Sequence, residues 1–117
     1  MGTGSIRGMP MLARLHQAGF HIWPFQAARL PLALEIYPRL FTGPVVKSSR
    51  RARIAYLQQS RYAQLPSDVL AKAVASEDAF DALCSVLGMV DHAAHLNTLT
   101  QDCHPAAHQE GAIWYPA

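Results

Sequence analysis

Apolar positions along the chain change their period several times, and each change marks a predicted element. Residues 9–18 place Met11, Leu12 and Leu15 on one side at helical spacing. Pro10 suits the first position of that helix, and Gly19 suits its C-terminal stop. Residues 20–25 then alternate, with Phe20, Ile22 and Pro24 on one face and His21, Trp23 and Phe25 on the other. Pro24 marks a bulge or an end in this strand. Residues 32–38 predict a second strand, with Leu32, Leu34 and Ile36 facing one way and Ala33, Glu35 and Tyr37 the other. Thr42, Gly43 and Pro44 form a turn. A helix follows from Ser48 or Ser49 to Gln59, with Ile54 and Leu57 inward and the arginines outward. Pro66 breaks the pattern, Ser67 caps a helix to about Ala75, and Ser76 caps another from Glu77 to about His95, straight or bent. The rest reads as a loop-like tail over 97–117, docked on the sheet by Trp114 and Tyr115.

Two strands among several helices predict an α/β fold whose sheet is too small to stand alone. Either a partner chain completes that sheet, or this is part of a larger α/β domain. An open edge also suits a homodimer.

The segment 77–95 carries the most chemical information. On a helical wheel Ala79, Phe80, Ala82, Leu83, Val86, Leu87 and Val90 cover most of the circumference, predicting a buried helix. Asp78, Asp81, Ser85, Gly88 and His92 share the remaining narrow stripe. Two aspartates three residues apart repel unless both are solvated or a cation lies between them. Hard divalent cations take oxygen ligands, and phosphodiester chemistry uses paired carboxylates of this kind. The plainer reading is a solvated acidic edge near a helix N-terminus, where negative charge is favourable. Glu35 is the other candidate, because strands disfavour a mid-strand carboxylate unless one face is wet.

Composition narrows the class. The chain has 117 residues, half of them apolar and 15% charged, which suits one small folded domain. Cys84 and Cys103 are its two cysteines and cannot make a disulfide framework, which points to a reducing, cytoplasmic setting. No apolar run reaches the roughly 18 residues of a membrane span, so no membrane partner is expected. The net charge is only +2, yet Lys47, Arg50, Arg51, Arg53 and Arg61 are five of the ten basic residues. Lys47, Arg50, Arg51 and Arg53 are candidate phosphate contacts, or else a solvated basic face. No aromatic residues interleave them, so there is no base-stacking signal.

The segments GTGSIRGMPML, AGFHIWPF, LALEIYPRLFTG, SEDAFDALCSVLGM and EGAIWYP, in that order, resemble a family of predicted nucleases of RNase H-like fold, long described as a domain of unknown function. The strongest pieces are Glu35-Ile36-Tyr37-Pro38, Asp78-Ala79-Phe80-Asp81-Ala82 and Glu110-Gly111-Ala112-Ile113-Trp114. The resemblance implies a mixed sheet flanked by helices and nucleic acid as substrate. It implies Mg²⁺- or Mn²⁺-dependent hydrolysis, with Asp78, Asp81 and Glu35 as metal ligands and catalytic residues. The family's domain opens with a strand bearing an aspartate and has a further acidic strand. This chain has neither, so it resembles the C-terminal half, with two or three strands, three or four helices and the N-terminal strands missing. Its site is then expected to be incomplete or inactive. The alternative is a non-catalytic or degenerate interaction module. A third reading is a zinc-stabilised module using His92, His95, Cys103, His104 and His108, although these spacings match no standard zinc finger.

Overall fold

The computed structural model describes residues 3–96, 98–100 and 113–114. The chain divides into two compact units, one formed by residues 1–36 and 92–117 and the other by Tyr37–Asp91. Helices and a small parallel sheet make up the described residues.

The first unit opens with α1 (Thr3–Gln17). The sequence predicts this helix from residue 9 with Pro10 at its first position. Instead it begins six residues earlier and Pro10 lies inside it. Pro10 lacks an N–H, so one helical hydrogen bond is forgone there, while the turns on either side keep theirs. Gly19 follows with φ +99°, the left-handed conformation that ends a helix without a Cβ penalty.

The two predicted strands shorten to β1 (His21–Ile22) and β2 (Leu32–Ala33), which pair in parallel with His21 opposite Leu32 and Ile22 opposite Ala33. β1 ends where Pro24 was expected to end it. Gln26 closes the turn that follows: its N–H donates to the Ile22 carbonyl at 2.8 Å, and its side-chain oxygen accepts from the Ile22 N–H at 3.0 Å. Trp23 and Pro24 are buried, and the Trp23 indole N–H donates to the Thr100 carbonyl at 2.9 Å. Burial alternates over Leu34, Glu35, Ile36 and Tyr37 as the pattern requires, but regular pairing does not continue there. Glu35 makes one isolated parallel bridge to Ile113, and its carbonyl accepts from the Trp114 N–H at 2.8 Å. Trp114 is buried, with its ring edge-on to His92 at 5.9 Å between centroids. α7 (Ala93–Leu96) also belongs to this unit. Tyr115 lies outside the described residues.

The second unit is helical. α2 (Arg39–Thr42) and α4 (Ser60–Ala63) are single turns that the apolar pattern is too short to predict. α3 (Arg50–Leu57) is capped by Ser49, whose hydroxyl accepts from the Ala52 N–H at 3.2 Å. α5 (Ser67–Ala75) starts after Pro66, and Ser67 is its first residue rather than a side-chain cap. α6 (Glu77–Asp91) is capped by the Ser76 hydroxyl, 3.1 Å from the Ala79 N–H. It runs to Asp91, and after a turn at His92 the chain is helical again in α7, in keeping with the bent course to about His95 that the sequence allows. The core is Leu57, Tyr62, Ala73, Phe80 and Cys84, with Leu70, Val74, Leu83 and Leu87 packed around it.

The orientation of α6 differs from the wheel. Its buried residues are Phe80, Cys84, Ser85 and Gly88, while Val86 and Val90 are exposed. The stripe expected to face solvent or a cleft therefore runs from exposed Asp78 to buried Gly88. Size explains this better than polarity. A Cβ placed on Gly88 would fall inside the Phe41 ring of the segment containing α2, so only glycine allows this approach. Ser85, the next smallest residue on that side, is buried as well.

Two predictions follow from this core. Gly88→Ala should gain about 1 kcal/mol in helix propensity but lose about 1–3 kcal/mol to overpacking. The whole Phe41 ring must move, so urea denaturation should show net destabilisation. The second concerns alkali. Burial pushes the Tyr62 phenol up from its ordinary 10.0, and the Tyr56 hydroxyl at 3.4 Å supports the shift. Burial likewise raises the Cys84 thiol from 9.0. Both groups stay protonated in the folded chain after their unfolded counterparts have ionised, so the unfolded state then binds fewer protons. Stability is fully present below about pH 9 and falls as pH rises through 9 and 10. Thermal melts between pH 7 and 11 should show that fall, and Tyr62→Phe should make it shallower.

Candidate functional site

Lys47 and Asp81 meet. The Lys47 ammonium donates to both oxygens of the Asp81 carboxylate, at 2.9 and 2.8 Å. The two side chains keep 29% and 21% of their exposure, so the pair is neither sealed nor free in solvent. The sequence offered Asp81 as a metal ligand and Lys47 as a phosphate contact. In the fold each is the other's counter-ion.

Arg53 explains why Lys47 stands there. Predicted on the outer face of α3, Arg53 is instead buried. Its Nε donates to the Val74 carbonyl at 3.0 Å and its Nη1 to the Lys47 carbonyl at 2.6 Å. Val74 lies in the last turn of α5, where carbonyls lack helical partners and positive charge is favoured. The planar guanidinium reaches this carbonyl and the Lys47 loop at once, which a single ammonium cannot do. Arg53 is therefore a structural tie in this fold, not a surface cation. Ile54, predicted inward, takes the exposed position beside it.

Asp78 is exposed on the first turn of α6, one turn before the half-buried Asp81. Glu35 is exposed in the first unit, and it is its backbone that makes the bond to Trp114. Arg50 and Arg51 are exposed on the first turn of α3, and among the described residues neither forms an ion pair. Arg61 pairs with Asp91 at 2.7 Å on the surface, and that hydrogen bond raises the guanidinium pKa. Its Cζ also lies 5.3 Å from the centre of the Tyr62 ring.

Among the described residues no group of three or more His, Cys, Asp or Glu side chains is placed to hold a metal ion. Cys103, His104 and His108, three of the five residues in the zinc reading, lie outside the described residues. The first unit also has an open groove of about 370 Å³ lined by Leu12, Ile22 and Phe25 among others, with none of the candidate carboxylates in its walls. No helix among the described residues is long and apolar enough to cross a membrane.

Sequence reasoning missed the Lys47–Asp81 pair because its members are 34 positions apart. It missed Arg53 because helical spacing reads arginine as a surface residue. Comparison with known proteins finds no matching family model, no matching curated sequence and no matching solved structure.

Arg53→Leu should cost about 2–4 kcal/mol, because it leaves the part-buried Val74 and Lys47 carbonyls without this donor. Arg53→Lys should recover less than half of that loss. Equilibrium denaturation measures both, and wild-type stability in either variant would show that the tie is dispensable.

Proposed function

We propose that this chain carries carboxylates of a divalent-metal-dependent nuclease-like domain of RNase H-like type, and that it does not turn over nucleic acid by itself. The observation that carries this reading is Asp81. It is a half-buried carboxylate with both oxygens committed to a positive charge, and a second aspartate stands one turn away on the same helix. Such a pair suits Mg²⁺ or Mn²⁺, since magnesium is commonly held by one or two carboxylates completed with water and substrate phosphates. A bound divalent cation would stabilise charge on the phosphate and activate water. With Lys47 already neutralising Asp81, and with the first-turn acids Glu77 and Asp78 both exposed, the arrangement supports a resting or incomplete site. Glu35, in the first unit, is a candidate ligand and catalytic residue on the strength of the family resemblance alone.

Arg50 and Arg51 support nucleic acid as the partner. They occupy the first turn of α3, the end where the helix dipole disfavours positive charge. Helix stability therefore does not account for them, which favours phosphate as their partner over a merely solvated basic face. The second reading is a non-catalytic interaction module, in which the Lys47–Asp81 pair is a fold contact and nothing more. Arg53 favours it, because that residue shows one member of the same basic run already serving the fold.

The test is cleavage of single-stranded, duplex and branched substrates with Mg²⁺ or Mn²⁺. The expected result is no turnover above a metal-free control, together with salt-dependent binding. Robust turnover by this chain alone would refute the resting-site reading. Reversing charge at Arg50 and Arg51 should weaken binding and lower the salt slope by about 1.5, from roughly 0.7–0.9 per phosphate contact. An unchanged slope would remove nucleic acid from the proposal.

A further inference from the structure

We infer that the groove between α1 and β1 is a binding site for a small apolar carboxylic acid, whose chain lies on Met9, Leu12, Ile22 and Phe25 and whose carboxylate is held by Gln26 and His16. This site lies in the first unit and is independent of the nuclease-like reading of α6.

The apolar part of the groove is open to water. Its volume of about 370 Å³ falls within the roughly 300–1,000 Å³ of small-molecule pockets. One wall is α1, where Met9, Leu12 and His16 follow one another on one side of the helix. Met9 and His16 are seven residues apart, so this wall runs about 10 Å from an apolar end to a polar one. The other wall comes from Ile22 in β1 and from Phe25 and Gln26 in the turn after it. Met9 and Phe25 are 57% and 42% exposed, and a bound chain removes that apolar surface from water.

The polar part is already oriented. The Gln26 Oε1 accepts from the Ile22 N–H at 3.0 Å. A backbone N–H can be met only by the amide oxygen, so the Gln26 NH₂ is the end left over, with two donors. Among the described residues that NH₂ has no hydrogen-bond partner, and neither has the His16 imidazole. Nothing negative competes for these donors. Residues 1–34 contain Arg7, Arg14 and Arg29 but no Asp or Glu, and all eight acidic residues of the chain begin at Glu35. Among the described residues no carboxylate lines the groove. A carboxylate accepts from such donors more strongly than a neutral oxygen does. An ammonium of the same chain length only donates, so it finds no acceptor at the Gln26 NH₂.

The experiment uses the full chain, titrated with decanoate and with decylamine. Binding is followed by the methyl resonances of Met9 and Ile22, and circular dichroism verifies the fold of each variant. Decanoate should shift both methyls saturably and bind about tenfold tighter than decylamine, the scale of one hydrogen bond to a charged group. Gln26→Glu keeps an oxygen for the Ile22 N–H and turns the other end from donor to acceptor. Its preference should reverse, with decanoate weakened and decylamine strengthened. His16→Ala should weaken decanoate and leave decylamine unchanged. Equal affinity of the wild type for the two probes, or a preference that Gln26→Glu leaves as it was, would overturn the carboxylate role and reduce the groove to a non-selective apolar surface. Absence of a saturable shift below the micelle concentration of the probes would overturn the site itself. Shifts of the same methyls with protein concentration alone would assign the groove to a second copy of the chain and overturn the ligand as well. If Gln26→Glu does not fold, the comparison of acid and amine on the unaltered chain decides by itself.

Discussion

The Arg53 guanidinium holds the helical unit in the arrangement that gives its charged groups their meaning. It is buried, permanently charged and has no carboxylate partner in the contacts that define it. What offsets its desolvation is a pair of carbonyl dipoles, one at the negative end of α5 and one in the loop before α3. That second bond fixes where residue 47 lies. From there the lysine side chain reaches α6 and meets Asp81. A cation buried at the joint of three segments thus sets where Lys47 stands, and so the counter-ion that Asp81 meets.

Packing of α6 follows a different rule from its hydropathy. Val86 and Val90 face outward, while Ser85 and Gly88 face inward. Close approach of the Phe41 ring needs a surface without a Cβ, and Gly88 supplies it. The same rotation separates the two aspartates in character. Asp78 stays on the outer side with Ala82, Val86 and Val90, at four-residue spacing, and Asp81 turns towards the core edge. One is an exposed acid and the other is a half-buried acid paired with Lys47, though they are only three residues apart.

In the first unit, two-residue strands carry little hydrogen bonding of their own. Side-chain and backbone closures take up the groups that a longer ladder would have paired. Gln26 closes the turn after β1, Trp23 donates to Thr100, and Glu35 accepts from Trp114. The buried Trp23 indole suits this task, since it contributes apolar area and still places its N–H on a carbonyl.

Local chemistry was legible in the sequence. Ser49 and Ser76 cap helices because a hydroxyl before a helix can accept an orphan N–H, and that rule needs no tertiary information. Gly19 ends α1 and Pro24 ends β1 for equally local reasons. The alternation around Glu35 likewise announced an exposed carboxylate. Periodicity could not tell which side of a helix becomes its inner side when small residues and large ones compete for it. It therefore placed Arg53 and Ile54 the wrong way round and turned α6 away from its real packing face. The pairing of Lys47 with Asp81 belongs wholly to the tertiary structure. The sequence offered Asp81 as a candidate metal ligand and Lys47 as a candidate phosphate contact, and only the chain's path past Arg53 brought the two to within 3 Å of each other.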